Sequence, residues 1–588
     1  MRARLSAAIA TGLVLAVAPS AHAATGFDWE RAWGKNVVAG ASSGFEVCPV
    51  AASCQAGLTG GLGGEMDLPH GVAADVAGNV YVADRENHRI QKFKPDGTWE
   101  RAWGKDVVDG GGTGFEVCTV AADCKPGLPN GGLGGELSFP RDVATDSAGF
   151  VYVADPGLGA SFNKRIQKFN SVGGFIRAWG KNVVAGGGSG LEVCTVAADC
   201  LQGFTGGQGG EMFSPRGIAT DAAGFVYVAD SDTTGTGLDN NRVQKFTSLG
   251  GFVRAWGRDV AAGGGDGFEV CTVATSCQAG LSGGLGGEMN SPAGVATDVA
   301  GNVYVADTEN SRIQRFTSTG GWQRAWGGDV RIGSGFGYEI CTVAADCKPG
   351  FGIGGSAGGM GFVNGVATDA AGDVYVADPS LLRIQVFTSL GGVRRAWGKD
   401  VVDGGGTGFE VCVAAASCKA GLNGGLGGEM DSPTGVAADA GGNVYVADRD
   451  NNRIQRFGAT IPGSPSGGAA GGGGGPGAVP SNDFRFGKLK RKKKKGIAIL
   501  IAFVPGPGEI GLRGPGIRPI GGGASASRIT SGGRVKLKIR PHQKGKKAHK
   551  LRVRLRNKGK AKRKVKVTYT PSGGVPNTKK RKVKLVKK

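Results

Sequence analysis

The chain has 588 residues, 20% of them charged and 40% hydrophobic, with 113 glycines, 12 cysteines and only 5 histidines. That is enough apolar residue to bury several cores, which excludes a wholly disordered chain. The net charge of +22 is unevenly held. Residues 483–588 carry +33, so residues 1–482 carry −11, which excludes a nucleic-acid-binding surface running along the whole chain.

Residues 1–23 predict a secretory signal. Arg2 and Arg4 precede an apolar stretch from Leu5 to Ala18, and Ala21-His22-Ala23 is a small-x-small cleavage site before Ala24. The rival, a membrane anchor, needs more apolar length to cross a bilayer of about 30 Å. No later segment reaches 18 apolar residues. A soluble, secreted protein is expected, with association to the cell surface left open.

From residue 27 onward, a unit of about 70 residues is written six times. Its Trp-Gly markers fall at Trp33, Trp103, Trp179, Trp256, Trp326 and Trp397. In the first full unit, period-2 apolar alternation predicts strands over 70–75, 79–84, 89–94 and 98–103. Ala77-Gly78-Asn79 and Pro95-Asp96-Gly97 mark the tight turns between them. Four antiparallel strands repeated six times predict an all-β, six-bladed β-propeller; a solenoid is the alternative. The phase favours a ring. The chain opens on a lone fourth strand, 27–34, and the last unit stops at its third, 453–457, so the first strand would complete the last blade.

The runs Gly71-Val-Ala-Ala-Asp75, Gly78-Asn-Val-Tyr-Val-Ala-Asp84 and Asn87-His-Arg89-Ile-Gln-Lys-Phe93 resemble NHL repeats. The resemblance covers residues 27–457 and implies a six-bladed propeller. That family includes protein- and RNA-binding modules, sensor domains and a metal-dependent amidating lyase, so it implies no single activity. One departure recurs: the link after each Trp-Gly is expanded and holds a pair of cysteines.

Those pairs are Cys48 with Cys54, Cys118 with Cys124, Cys194 with Cys200, Cys271 with Cys277, Cys341 with Cys347 and Cys412 with Cys418. An even count at fixed spacing in an exported chain predicts local disulfides; zinc would need about four converging ligands. The links should leave on the same face as the second-to-third loops, two of which, 156–164 and 231–241, are long. The disulfide loops would then crown that face, as a recognition surface or merely as cover for the blade junctions.

Residues that appear six times read as scaffold. Asp84 with Arg89, Asp155 with Arg165, Asp230 with Arg242, Asp307 with Arg312, Asp378 with Arg383 and Asp448 with Arg453 are expected to bond within or between blades. Glu46, Glu116, Glu192, Glu269, Glu339 and Glu410 precede the first cysteines. They read as loop-bonding side chains, or as a carboxylate ring on a binding face able to hold Ca²⁺. Otherwise no cofactor or metal is expected. His70 and His88, found in one unit only, lack the further ligands of a catalytic metal site.

Residues 458–482 form a Gly/Pro/Ser-rich linker that ends the propeller domain of 24–457. Beyond it, residues 483–588 alternate apolar with basic residues, as in Val535-Lys-Leu-Lys-Ile-Arg540 and Leu551-Arg-Val-Arg-Leu-Arg556. This predicts a small β-sandwich, immunoglobulin-like by strand spacing. Its charge would be merely solvated, or would attach the protein to an anionic envelope polymer or lipid; nucleic acid suits an exported protein less well. The expectation is a monomeric, non-catalytic binding protein whose propeller face takes a protein or glycan ligand and whose tail tethers it to the envelope. The alternative is an extracellular lyase- or lactonase-like enzyme with its site in the channel.

Overall fold

A computed structural model describes residues 27–459 apart from 42, 159–160, 232–239, 352–354 and 414, together with the backbone of eight strands between 485 and 586. The signal over 1–23, most of the linker and the strand expected over 551–556 lie outside the described residues. Six blades surround an axis, each a single antiparallel sheet. In blade one the strands run outward as Pro69–Ala74, Val80–Asp84, Arg89–Phe93, Trp99–Lys105 and Phe115–Cys118.

The fifth strand corrects the expectation of four. Phe115–Cys118 pairs with the fourth strand in the register Ala102↔Cys118 and Lys105↔Phe115, and all six blades carry this extra edge. The segment read as a loop with a cysteine pair is therefore sheet on its first side.

The second strand shows why these residues build a ring. Val-Tyr-Val-Ala-Asp is buried from end to end, because a blade packs on neighbours over both faces. Alternation sends Val80 and Val82 to a core with Trp33, Met66, Phe93 and Tyr445. It sends Tyr81 and Ala83 to a second core with Trp103, Leu137 and Phe169. The recurrent Trp thus fills the gap between blades. Trp33 meets Tyr445 edge-on at 6.2 Å and Phe93 of the next blade at 5.9 Å.

Phe27–Lys35 pairs with Arg453–Ala459, with Trp33 opposite Ile454, and Phe45–Cys48 adds the fifth strand. The last blade therefore takes its outer two strands from the start of the chain. Gly458 and Ala459 belong to this strand rather than to the linker. The loop expected over 156–164 is largely an extended hairpin, with Ser161 opposite Leu158.

Residues 469–588 form a separate compact unit. One of its sheets orders Arg485–Lys492, Ile497–Val504, Gly533–Pro541 and Ile517–Pro519. The other orders Ala526–Ile529, Gly508–Arg513, Lys560–Pro571 and Asn577–Val586. No helix among the described residues is long and apolar enough to cross a membrane.

Candidate binding site

The polar residues that recur around the ring bind the ring to itself. Arg89, fully buried, gives Nε to Asp84 at 2.8 Å and its Nη groups to the carbonyls of Leu62 (2.9 Å), Glu65 (2.8 Å) and Lys125 (3.0 Å). One guanidinium thereby ties the link entering a blade to the link leaving it. Asp84 in turn accepts from the Asp67 amide, Asn87 and Gln91. Burial pushes its carboxyl up, against the opposing pull of Arg89.

The same ion pair joins Asp155 to Arg165, Asp230 to Arg242, Asp307 to Arg312 and Asp448 to Arg453. Blade five differs. No ion pair joins Asp378 to Arg383 among the described residues; Asp378 accepts instead from Gly361, Ser380 and Leu381.

The six glutamates sit on the outermost strands. Glu46, Glu116, Glu192, Glu269, Glu339 and Glu410 each accept an amide of their own hairpin, from Val38, Val108, Val184, Ala261, Arg331 and Val402. This places them at the blade edges, away from the channel.

All twelve cysteines are paired as their spacing predicts. Cys48 is bonded to Cys54, Cys118 to Cys124 and Cys194 to Cys200. Cys271 is bonded to Cys277, Cys341 to Cys347 and Cys412 to Cys418. Their place differs from the expected crown. In each pair the first cysteine, as at Cys48, ends the fifth strand. The second, at Cys54, Cys124, Cys200, Cys277, Cys347 and Cys418, follows a 3₁₀ turn on the same edge. The bridges therefore fasten the outer margin of the loop face rather than crown the channel mouth. The reason is that the extra strand carries each link outward along the blade before it returns to the axis. Such disulfides are those of a chain that folds in an oxidising compartment.

The symmetry breaks at one repeat position, within two residues of the start of each innermost strand. Around the ring it is His70, Arg141, Arg216, Ala293, Asn364 and Thr434. The next residue is Gly in five blades, because there the strands converge. A Cβ on Gly217 would lie 2.3 Å from the Ala293 carbonyl oxygen, and one on Gly435 2.4 Å from that of His70. In blade two this residue is Asp142, whose carboxylate takes the Ile218 amide of blade three at 3.0 Å. Burial pushes that carboxyl up to about 7.

The pinch encloses a void of about 20 Å³ lined by His70, Asp142, Arg216, Asn364 and Thr434, with backbone between them. Beyond it the channel, about 160 Å³, is lined by Val, Ala, Ile and Thr, with Asp142 the one ionisable side chain among its described residues. Threonines stitch its wall: Thr145, Thr220, Thr297 and Thr368 each donate to a carbonyl of the preceding blade. Thr434 donates to the His70 carbonyl, linking blade six to blade one.

His70 sets Nδ1 against the Arg141 carbonyl at 3.0 Å, which fixes Nδ1–H as donor. Its pKa is driven well below the usual value, first by burial and then by Arg141, Arg85, Arg216 and Arg449. His88 has a structural post. Its Nδ1 accepts the Phe139 amide at 3.1 Å, and burial, then Arg85, pushes its pKa down to about 4. Among the described residues no three His, Cys, Asp or Glu side chains gather as a metal site.

The NHL repeat model matches residues 66–93, 289–316 and 430–457, the inner three strands of blades one, four and six. Three of the six blades thus contain an NHL repeat. The curated relatives include NHL repeat-containing protein 3 of Mus musculus, 26% identical over 259 residues, 43% of this chain and 54% of that one. Peptidyl-alpha-hydroxyglycine alpha-amidating lyase 1 of Drosophila melanogaster is 29% identical over 119 residues, 20% of this chain and 18% of that one. The matches thus span about half of the first protein and under a fifth of the second. Among solved structures, a streptogramin B lyase aligns with a TM-score of 0.32 at 11% identity, covering 67% of this chain and 93% of that one.

The loop face of the propeller carries exposed apolar side chains in every blade. Val50, Val120, Val196, Val273 and Val343, two residues after the first cysteine of each disulfide loop, are between 54% and 57% exposed, and Val413, one residue after Cys412, is 68% exposed. Leu58, Leu128, Phe204, Leu281, Phe351 and Leu422, on the links, are exposed as well.

Sequence reasoning singled out His70 but not Arg141, Asp142, Arg216 or Asn364. The signal was available: aligning the six repeats on the proline at or just before the start of each innermost strand, replaced by Val363 in blade five, gives a column of His, Arg, Arg, Ala, Asn and Thr followed by one that is Gly except at Asp142.

Proposed function

We propose that the propeller is a secreted, non-catalytic binding module that engages a protein or glycan through its loop face, while the basic C-terminal unit holds it electrostatically at an anionic envelope polymer or lipid surface. The observation that carries this reading is the division of side chains within the ring. Recurrent ionisable groups bond to the scaffold and the channel wall is aliphatic, which leaves the repeated exposed apolar side chains of the loop face for contact. The separate +33 of residues 483–588 supports the tether.

The test is cosedimentation of the full chain with isolated cell envelopes across a salt series. Most of the bound protein should release as salt screens the tail. A fraction held at high salt should fall when Leu58, Leu128 and Leu281 are all changed to Lys. Binding indifferent to salt would sink the tether, and no salt-resistant fraction would sink the loop-face contact.

A further inference from the structure

We propose that the channel mouth is a receptor for one small oxyanion, the carboxylate or phosphate group of a small molecule, held by Arg141 and Arg216 with His70 and Asn364 beside them. This goes beyond the loop-face contact and stands whether or not that face engages a macromolecule.

The argument begins with position. His70, Arg141, Arg216 and Asn364 occupy the same repeat position, within two residues of the start of innermost strands that converge on one point, the glycine pinch. His70, Arg216 and Asn364 line the narrowest point, and Arg141, whose carbonyl faces His70 Nδ1, stands beside that lining within electrostatic reach of Arg216. The void there, about 20 Å³, has room for one water-sized group such as an anion oxygen.

Charge is the second step. Arg85 and Arg449, from the loops of blades one and six, join Arg141 and Arg216 within mutual electrostatic reach, and burial with this repulsion lowers the Arg141 pKa well below its usual value. The outer two have acidic neighbours: Arg85 pairs with Glu86, and Arg449 lies 3.6 Å from Asp450. Asp67 and Asp431, on the links that enter these two blades, lie beside Glu86 and Asp450 respectively. Of the inner two, Arg141 acts on Asp142, a carboxyl raised towards neutrality by burial. A cluster of like charges at a narrow, low-dielectric point is unfavourable unless an anion completes it.

The third step is hydrogen bonding. Arg141 Nε is buried with no partner among the described residues, and Arg216 is anchored through Nη1 to Ser291 Oγ at 3.0 Å. A donor left unpaired beside a fixed second guanidinium suits the planar oxygens of a carboxylate or phosphate. Asp142 repels such a group when ionised, so an anion also favours its protonated form.

All nine tryptophans lie in the propeller, so their fluorescence follows its unfolding even though the basic tail attracts anions of its own. Thermal unfolding of the full chain is measured with sodium acetate or sodium phosphate replacing sodium chloride at constant ionic strength. A rise of roughly 2 °C or more is expected with at least one of them, since a ligand of the native state raises the midpoint. The larger shift assigns the group, acetate for a carboxylate and phosphate for a phosphoryl ligand. The increment should vanish in Arg141→Ala, shrink in Arg141→Lys and persist in Arg331→Ala on the outer rim. Comparing increments within each variant removes any change in its baseline stability. No shift in the parent protein, or an equal shift in Arg141→Ala, would overturn the proposal.

Discussion

Asp307 and Asp378 hold the same place in neighbouring blades and do different work. In blade four, Asn310 donates to both oxygens of Asp307, and Arg312 closes the pair at 2.8 Å. In blade five, Leu381 stands where Asn310 does, and Asp378 bonds instead to backbone and Ser380. Arg383 keeps its carbonyl acceptors, including Ser356 and Gly359, and burial pushes its pKa down to about 10. Removing one charge from a buried pair leaves the other uncompensated, so Asp307→Asn should cost about 3 kcal/mol. Asp378→Asn forfeits hydrogen bonds and a through-space attraction to Arg383 without a direct ion pair, and should cost less, about 1–2 kcal/mol. Denaturant midpoints followed by tryptophan fluorescence measure both, and equal losses would show that the ion pair contributes nothing of its own. The scaffold role of these residues was legible because repetition aligned them. The arginines at the mouth were not, because an Arg beside a strand-opening proline looks like any solvated loop charge until six strands bring it to the axis.

At the scale of the element, the outermost strand is the weakest part of each blade. Phe115–Cys118 is four residues long, bonded on one side only, and followed by a short 3₁₀ turn before Cys124 closes the bridge. Four residues are too few for alternation to stand out among glycines, which is why the segment reads as loop in the sequence. The bridge closes a small loop, so the chain-entropy model assigns it about 2 kcal/mol. Its position implies a local effect. Changing Cys118 and Cys124 together to Ser should free this edge, raising amide exchange over 115–118 while Val80–Asp84 stays protected. Exchange that rises across the whole blade would mean that the bridge holds the inner strands as well. The Glu116 carboxylate, bonded to the Val108 amide, should slow the fraying without preventing it.

Ring closure is the property of the whole molecule that the sequence showed most plainly, because it depends on strand phase and not on side-chain detail. The chain starts on a fourth strand and its last repeat ends on a third. Phe27–Lys35 then pairs with Arg453–Ala459 along its length. Closure also buries Trp33 completely, between Tyr445 of the last blade and Phe93 of the first. Two consequences follow from losing residues 27–48. The strand Arg453–Ala459 becomes an open edge with unpaired amides and carbonyls, ready to pair with another chain. The core between blades six and one also loses its largest side chain, and Trp33→Ala alone should cost about 3–5 kcal/mol. A protein lacking residues 1–48 is therefore expected to self-associate through that edge, eluting as dimers and larger species in size-exclusion chromatography. Trp33→Ala, which keeps the strand, should stay monomeric and only lose stability. A monomeric truncation with native unfolding behaviour would show instead that the blade contacts hold the ring without its closing strand.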